Sequence, residues 1–272
     1  MSESRRIAFI GGGNMAQSLV AGLIAAGRPA SDIAIADPDP AQRKRLERFA
    51  DVVVTADNAA AVADAALVVL AVKPQAAPAA LRSIAEALRH KPPTLLSIAA
   101  GLRIATILEA VGGELPVVRA MPNTPALVGR GASAWYANPS TGATGRRLAR
   151  EVLEAAGLAI EVGAEAQLDA VTGLSGSGPA YFFLLVEALA QAGAAQGLPA
   201  DTAARLAAAT GLGAMTLLEQ SDETPAALRE RVTSPGGTTA AALATLTDGD
   251  FHGLIARAVA RATERARELG KS

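Results

Sequence analysis

Two short stretches set bare backbone beside a helix start, an arrangement suited to holding an anion: "GGGNMA" at 11–16 and "SPGGTT" at 234–239. Peptide N–H groups in the first turn of a helix lack intrahelical partners, and the helix dipole adds partial positive charge there. In the first stretch, Gly11, Gly13 and Ala16 spell G-x-G-x-x-A after the β-type run "RIAFI" and at the opening of a helical run. Gly11 permits a tight turn, Gly13 lets backbone approach a pyrophosphate, and Ala16 keeps helix and strand close. Strand, turn, helix and second strand arrive in order, so a dinucleotide site is expected here rather than a merely flexible turn. In the second stretch Pro235, Gly236 and Gly237 interrupt alanine-rich helix. Glycine costs a helix about 1 kcal/mol and proline about 3, so the cluster marks a place that needs bare backbone. Two readings stand: an anion-holding turn whose Thr238 and Thr239 offer hydroxyls, or a helix-breaking turn with a threonine cap.

Further candidates cluster where strands end. The second β-type run, "DIAIAD", ends at Asp37, 21 residues after Ala16, where a carboxylate accepts from a ribose 2'-hydroxyl and repels a 2'-phosphate. The next helix opens "AQRKRL", so Arg43, Lys44 and Arg45 are either within reach of that phosphate or a solvated basic face. Physics alone leaves the cofactor preference open. "LAVKPQ" ends the fourth run with Ala71, Val72, Lys73 and Pro74, and Asn58 follows the third; ligands of open parallel sheets bind beyond these carboxyl ends. "SIAAG" at 97–101 and "MPNTP" at 121–125 are small and polar enough to border a nicotinamide, or are ordinary turns.

Composition removes other chemistries. The 272 residues include no cysteine, and His90 and His252 alone do not build a usual zinc site, so thiol catalysis and metal ligation are not expected. Lys plus Arg number 25 against 26 Asp plus Glu, with no basic run, which argues against nucleic acid and anionic membranes as partners. "MSESRRIAFIGGG" lacks the apolar stretch of a signal peptide and no run is long enough for a membrane span, so a cytoplasmic protein is expected.

The elements that must position these residues fall into two halves. Up to about residue 163, "RIAFI", "DIAIAD", "DVVVT", "ALVVLAV", "TLLSIA" and "LPVVRA" alternate with helical stretches, the grammar of a parallel sheet flanked by helices. "GASAWYA" and "LAIEV" are expected as edge strands around a helix near 141–156. From Gln167 onward the β-type runs vanish, and segments such as "GPAYFFLLVEALAQAGAAQG" are apolar on most faces. The expected fold is α/β, with a Rossmann-type domain at 1–164 and an all-helical domain at 165–272. So much apolar helix surface implies a dimer interface.

"FIGGGNMA", "AVKPQ", "SIAAG", "RAMPNTPA", "SGSGPAYFF" and "RVTSPGGTT", in order and nearly end to end, resemble pyrroline-5-carboxylate reductases. The resemblance implies a Rossmann domain, a helical domain interlocking two subunits of a homodimer, larger homo-oligomers built from dimers, and NADPH as usual donor with NADH also accepted. It implies a small cyclic imino acid as substrate, reduced at C=N. It places cofactor contacts on Ile10, Gly11, Gly12, Gly13, Asn14, Met15, Asn58, Ala71, Val72, Lys73 and Pro74. The family often has a small hydroxyl residue where this chain has Asp37.

It also favours the anion-holding reading of the second turn, with Ser234, Gly236, Gly237, Thr238 and Thr239 gripping the substrate carboxylate. A cyclic imine can be protonated before hydride arrives, so positioning outweighs a strong general acid. Thr239 is the expected hydroxyl at the ring nitrogen. Ser175 and Ser177 either line the pocket or pack a central helix. Two rivals differ in chemistry. β-Hydroxyacid dehydrogenases use G-x-x-G-x-G-x-x-x-K; Gly173, Gly176 and Gly178 match, but Phe182 stands at the lysine. A non-catalytic NADP-binding redox sensor would not explain a second glycine-rich anion site.

Overall fold

Short runs of aliphatic residues uninterrupted by charge become strands covered on both faces. The computed structural model of the chain describes residues 6–90 and 92–270. Its elements begin with β1 (Ile7–Ile10), α1 (Asn14–Ala25), β2 (Ile33–Ala36), α2 (Pro40–Leu46), β3 (Val53–Thr55), α3 (Asn58–Val62) and β4 (Leu67–Leu70). They continue with α4 (Ala77–His90), β5 (Thr94–Ser97), α5 (Ile104–Val111), β6 (Val117–Met121), β7 (Gly131–Ala137), α6 (Ala143–Glu154) and β8 (Gly157–Glu161). Among the described residues these strands form one sheet in the order β3-β2-β1-β4-β5-β6-β7-β8. The reversal of strand order between β1 and β4 is the switch point beyond which such sheets bind ligands.

Alternation along each strand divides the core in two. Ile7, Phe9, Ile33, Ile35, Leu67 and Val69 pack with Leu19 of α1 and Leu148 and Val152 of α6. Ala8, Ile10, Ala34, Val68 and Leu70 face the other way, onto Leu81 and Ile84 of α4 and Ile107 of α5. Each interior strand is therefore buried on both sides, as a period of two between helix layers requires.

The expected strand at 131–137 is present but is not an edge. It lies between β6 and β8, antiparallel to β6 and parallel to β8. The tight helical turn Thr124–Val128 brings the chain straight back beside β6, and a return that short can only make an antiparallel pair. The sheet edges are β3 and β8.

Among the described residues six helices follow the sheet: α7 (Gln167–Val171), α8 (Gly178–Ala195), α9 (Ala200–Glu219), α10 (Pro225–Arg231), α11 (Thr238–Asp248) and α12 (Phe251–Leu269). A π-turn, Thr172–Gly176, separates α7 from α8. The compact units are Met1–Ser177 with Ala262–Ser272, and Gly178–Arg261. The expected boundary at 164/165 marks where strand grammar ends rather than where compactness changes.

Within the second unit α8 and α9 pack on each other. Among its described residues the buried apolar side chains are Ala203 and Ala207, while Phe182, Phe183 and Leu212 are 55%, 70% and 73% exposed. Large apolar side chains exposed in such number are what an interaction surface presents. No helix among the described residues is long and apolar enough to cross a membrane.

Candidate active site

The turn after β1 is shaped by a crowded floor and an open mouth. Gly11 has φ +96, and a Cβ there would lie 2.8 Å from the Ala71 carbonyl oxygen and 2.9 Å from Val72 Cγ1. A Cβ on Gly12 would lie 2.7 Å from Leu46 Cδ1, whereas nothing lies within 4 Å of one on Gly13. The Gly11 N–H donates to the Ala36 carbonyl at 2.8 Å. The Gly12 N–H donates to Asp37 Oδ2 at 2.8 Å, while its carbonyl accepts from Gln17 Nε2 at 2.7 Å and Gln42 Nε2 at 3.1 Å. Gly11 and Gly12 are thus tied internally. The donors left facing outward are those of Gly13, the α1 cap without a side-chain partner, and of Asn14 and Met15 in the first helical turn. The room over Gly13 and the unspent N–H groups fit a pyrophosphate. Ile10 is buried in the sheet core and offers the site backbone only.

Around this turn the other nucleotide candidates gather at the strand ends. Asp37 follows β2, and its second oxygen accepts from the Asp39 N–H at 2.9 Å. Arg43 Nη1 donates to the Asp37 and Pro38 carbonyls at 2.9 and 2.8 Å, so the guanidinium is tied to the backbone of the turn that carries Asp37. Lys44 and Arg45 are exposed on α2. Asn58 opens α3 and donates from Nδ2 to Ser83 Oγ at 2.9 Å. Strand β4 ends at Leu70, so Ala71, Val72 and Lys73 lie just beyond it and Pro74 starts the short helical turn Pro74–Ala76. Lys73 is exposed.

The second glycine-rich stretch is a β-turn feeding a helix. The Gly237 N–H donates to the Ser234 carbonyl at 3.0 Å, with Pro235 and Gly236 at the corner. Gly236 has φ +71, the conformation that the third residue of a type II turn requires and glycine supplies without strain. Gly237 caps α11, and no side chain caps that helix. The threonine cap is therefore not observed: Thr238 and Thr239 are already helical, which leaves their hydroxyls and the first-turn N–H groups available together. Ser234 is exposed and Thr239 half-buried.

Sequence reasoning missed the residues that hold the end of β6. Arg119, 4% exposed, donates from Nη1 to Glu165 Oε1 at 3.0 Å, and its Nη2 lies 3.7 Å from Asp169 Oδ1. Arg103 Nη2 pairs with Asp169 Oδ2 at 2.9 Å. Asn123 Nδ2 donates to the Ser175 carbonyl at 3.0 Å, and its Oδ1 accepts from the Ala132 N–H at 2.8 Å. An arginine inside an apolar strand, and acids opening the first helix after the sheet, were the available signals: buried charges need partners.

A doubly wound sheet, a G-x-G-x-x-A turn with free donors at its switch point, and a helical C-terminal region define an NAD(P)H-dependent oxidoreductase. Residues 165–269 match the family model of pyrroline-5-carboxylate reductase dimerisation, and residues 6–101 that of NADP oxidoreductase, coenzyme F420-dependent. The chain is 48% identical over 266 residues to a pyrroline-5-carboxylate reductase of Pseudomonas aeruginosa, covering 98% of this chain and 97% of that one. It belongs to the pyrroline-5-carboxylate reductase family. A solved pyrroline-5-carboxylate reductase from Coxiella burnetii superposes with TM-score 0.95 at 37% identity over 100% of both chains. A Plasmodium falciparum pyrroline carboxylate reductase with NADP bound superposes with TM-score 0.83 at 29% identity, covering 99% of this chain and 100% of that one.

Proposed function

We propose that this chain reduces 1-pyrroline-5-carboxylate to L-proline in the cytoplasm, the last step of proline biosynthesis, with NADPH as donor and NADH also accepted. The observation that supports this reading best, beside family membership, is the start of α11, where a glycine turn leads into a helix whose N–H groups no side chain caps. Ser234, Gly236 and Thr238 hold the substrate carboxylate there, as unspent donors and the helix dipole favour, while Gly237, whose N–H is spent on the Ser234 carbonyl, contributes the close approach of bare backbone. Thr239 places its hydroxyl at the ring nitrogen, accepting from the protonated imine, so the acceptor carbon is both activated and oriented. The reduced nicotinamide, when bound, supplies the hydride. Gly13, Asn14 and Met15 hold its pyrophosphate, and Asn58, Ala71, Val72, Lys73 and Pro74 border the nucleotide.

The test is direct: purified protein oxidises NADPH only after the cyclic imine is added. An alcohol substrate turned over equally well would favour hydroxyacid chemistry instead, and NADPH binding without any turnover would favour a sensor.

Asp37 and Arg43 bear on the choice of donor from opposite sides. The carboxylate accepts from a 2'-hydroxyl and repels a 2'-phosphate, and the adjoining guanidinium attracts that phosphate. Two unit charges about 4 Å apart repel by about 4 kcal/mol at an effective dielectric constant of about 20, so even a screened remnant matters. Asp37→Ser is expected to raise the ratio of kcat/KM for NADPH over that for NADH by about tenfold or more, equivalent to about 1.4 kcal/mol. Steady-state kinetics with both donors reads it; an unchanged ratio would detach Asp37 from the ribose.

The helical region pairs with a second copy to form a homodimer, and dimers assemble further. The exposure of Phe183 and Leu212 supports this, because burying each large apolar side chain contributes roughly 1.5–3 kcal/mol. Light scattering should find no stable monomer at micromolar concentration; a monodisperse monomer would refute it.

A further inference from the structure

Resting on the proposed imine reduction, and taking "MPNTP" at 121–125 as a border of the nicotinamide rather than an ordinary turn, we infer that Asn123 is a positioning residue for turnover: its amide latches the π-turn Thr172–Gly176 to the end of β6. The turn is wide because the Ser177 N–H reaches back five residues, to the Thr172 carbonyl at 2.9 Å. Single π-turns inserted into helical segments give up regular bonding and persist where tertiary contacts hold them. Here the next residue but one, Pro179, lacks the N–H that would serve the Ser175 carbonyl in an α-helical register. Asn123 Nδ2 supplies that missing donor, at 3.0 Å, from outside the helix. Asn123 is itself fixed, being 8% exposed and accepting from the Ala132 N–H of β7 at 2.8 Å.

The contact is tight as well as polar. A Cβ on Gly176 would lie 2.7 Å from Met121 Cε, so the turn rests against the last side chain of β6. Arg119 lies two residues before Met121 and projects from the same face of the strand. Its guanidinium reaches Glu165 and Asp169, one just before α7 and one within it. The helical segment is thereby tied to β6 before the turn by charge and within it by the amide. Residues 175–177 carry two hydroxyls and bare backbone, and the latch sets their distance from the strand end. Asn123 acts through them and needs no contact with the reacting atoms.

Asn123→Asp keeps the acceptor for Ala132 and replaces the donor to Ser175 with an oxygen, which pushes the turn away. Gly176→Val adds branches beyond a Cβ that would already stand 2.7 Å from Met121 Cε, 3.7 Å from Thr172 Cγ2 and 3.8 Å from Met121 Cγ, more than the swing of a methionine end relieves, so it displaces the same turn from the other side and tests the idea even if the first variant fails to fold. Each is expected to lower kcat with the imine by about 10- to 100-fold, the scale of a sub-ångström to 1 Å misplacement, with NADPH affinity by fluorescence titration changed less than about twofold. Adding Pro179→Ala to Asn123→Asp restores an N–H for the Ser175 carbonyl without the tie to β6. The double variant should regain melting temperature but not kcat. Recovery of kcat together with melting temperature, or wild-type kcat in Gly176→Val, would overturn the inference. Loss of imine-dependent NADPH oxidation in the unaltered protein would overturn the underlying reading and this inference with it, whereas an active parent with unaffected variants overturns the inference alone.

Discussion

Gly11→Val is expected to abolish measurable dinucleotide binding and to lower the melting temperature by about 10 °C, equivalent to about 3–5 kcal/mol in a chain of this size. Position 11 has φ +96, where a β-branched residue is a severe outlier, and the cost of such a backbone is about 1–3 kcal/mol. The new side chain also enters occupied space, since even its Cβ would stand 2.8 Å from the Ala71 carbonyl oxygen. That oxygen belongs to backbone just beyond β4 and has no rotamer with which to escape. Relief requires β1 and β4 to spread at the switch point, which adds about 1–3 kcal/mol of overpacking strain. Total stability is about 5–15 kcal/mol, so the protein should still fold at low temperature. The displaced loop then no longer presents the N–H groups of Gly13, Asn14 and Met15 together. Fluorescence titration with NADPH checks the binding and thermal melting the stability. Parental affinity in a folded Gly11→Val protein would remove this turn from the cofactor site.

Thr239→Ala should leave NADPH affinity and melting temperature nearly unchanged while lowering kcat by about 10- to 100-fold, the worth of a hydrogen bond to a charged partner at about 1.5–3 kcal/mol. Thr239 lies in the first turn of α11, half-buried, and α11 is not capped by its hydroxyl, so the substitution removes no structural hydrogen bond there. Alanine is also the better helix former. The expected loss is therefore confined to the charged imine, whose nitrogen loses an acceptor as it is drawn to react. Kinetics over a range of imine concentrations separates the cases. A rise in KM alone would make Thr239 part of the carboxylate grip, and unchanged kcat and KM would exclude it from the mechanism.

The sheet was legible because each interior strand is a short apolar run bounded by turn residues, and burial on both faces leaves no other place for such a run. Asp37 was legible as an acid ending the second strand, and Gly236 and Gly237 as bare backbone following Pro235. What could not be read locally was who satisfies whom. The Gly12 peptide is held by Gln17, Asp37 and Gln42. The Ser175 carbonyl is held by Asn123, which lies 52 residues away. Glutamine on a helix and asparagine in a turn are unremarkable by type, and only contact between remote segments gives them a task. The same holds for Gly131–Ala137, whose composition says strand but whose direction depends on where the preceding turn delivers it.

By itself the sequence determined the order of elements, the two glycine turns and their appetite for anions, since periodicity, propensity and missing Cβ atoms act within a few residues. Tertiary structure alone decided which N–H groups remain unspent. Those of Gly11 and Gly12 are consumed by Ala36 and Asp37, and those opening α1 and α11 are not. The physical reason is that a hydrogen bond is exhausted by its partner, and partners far apart in the chain meet only in the fold.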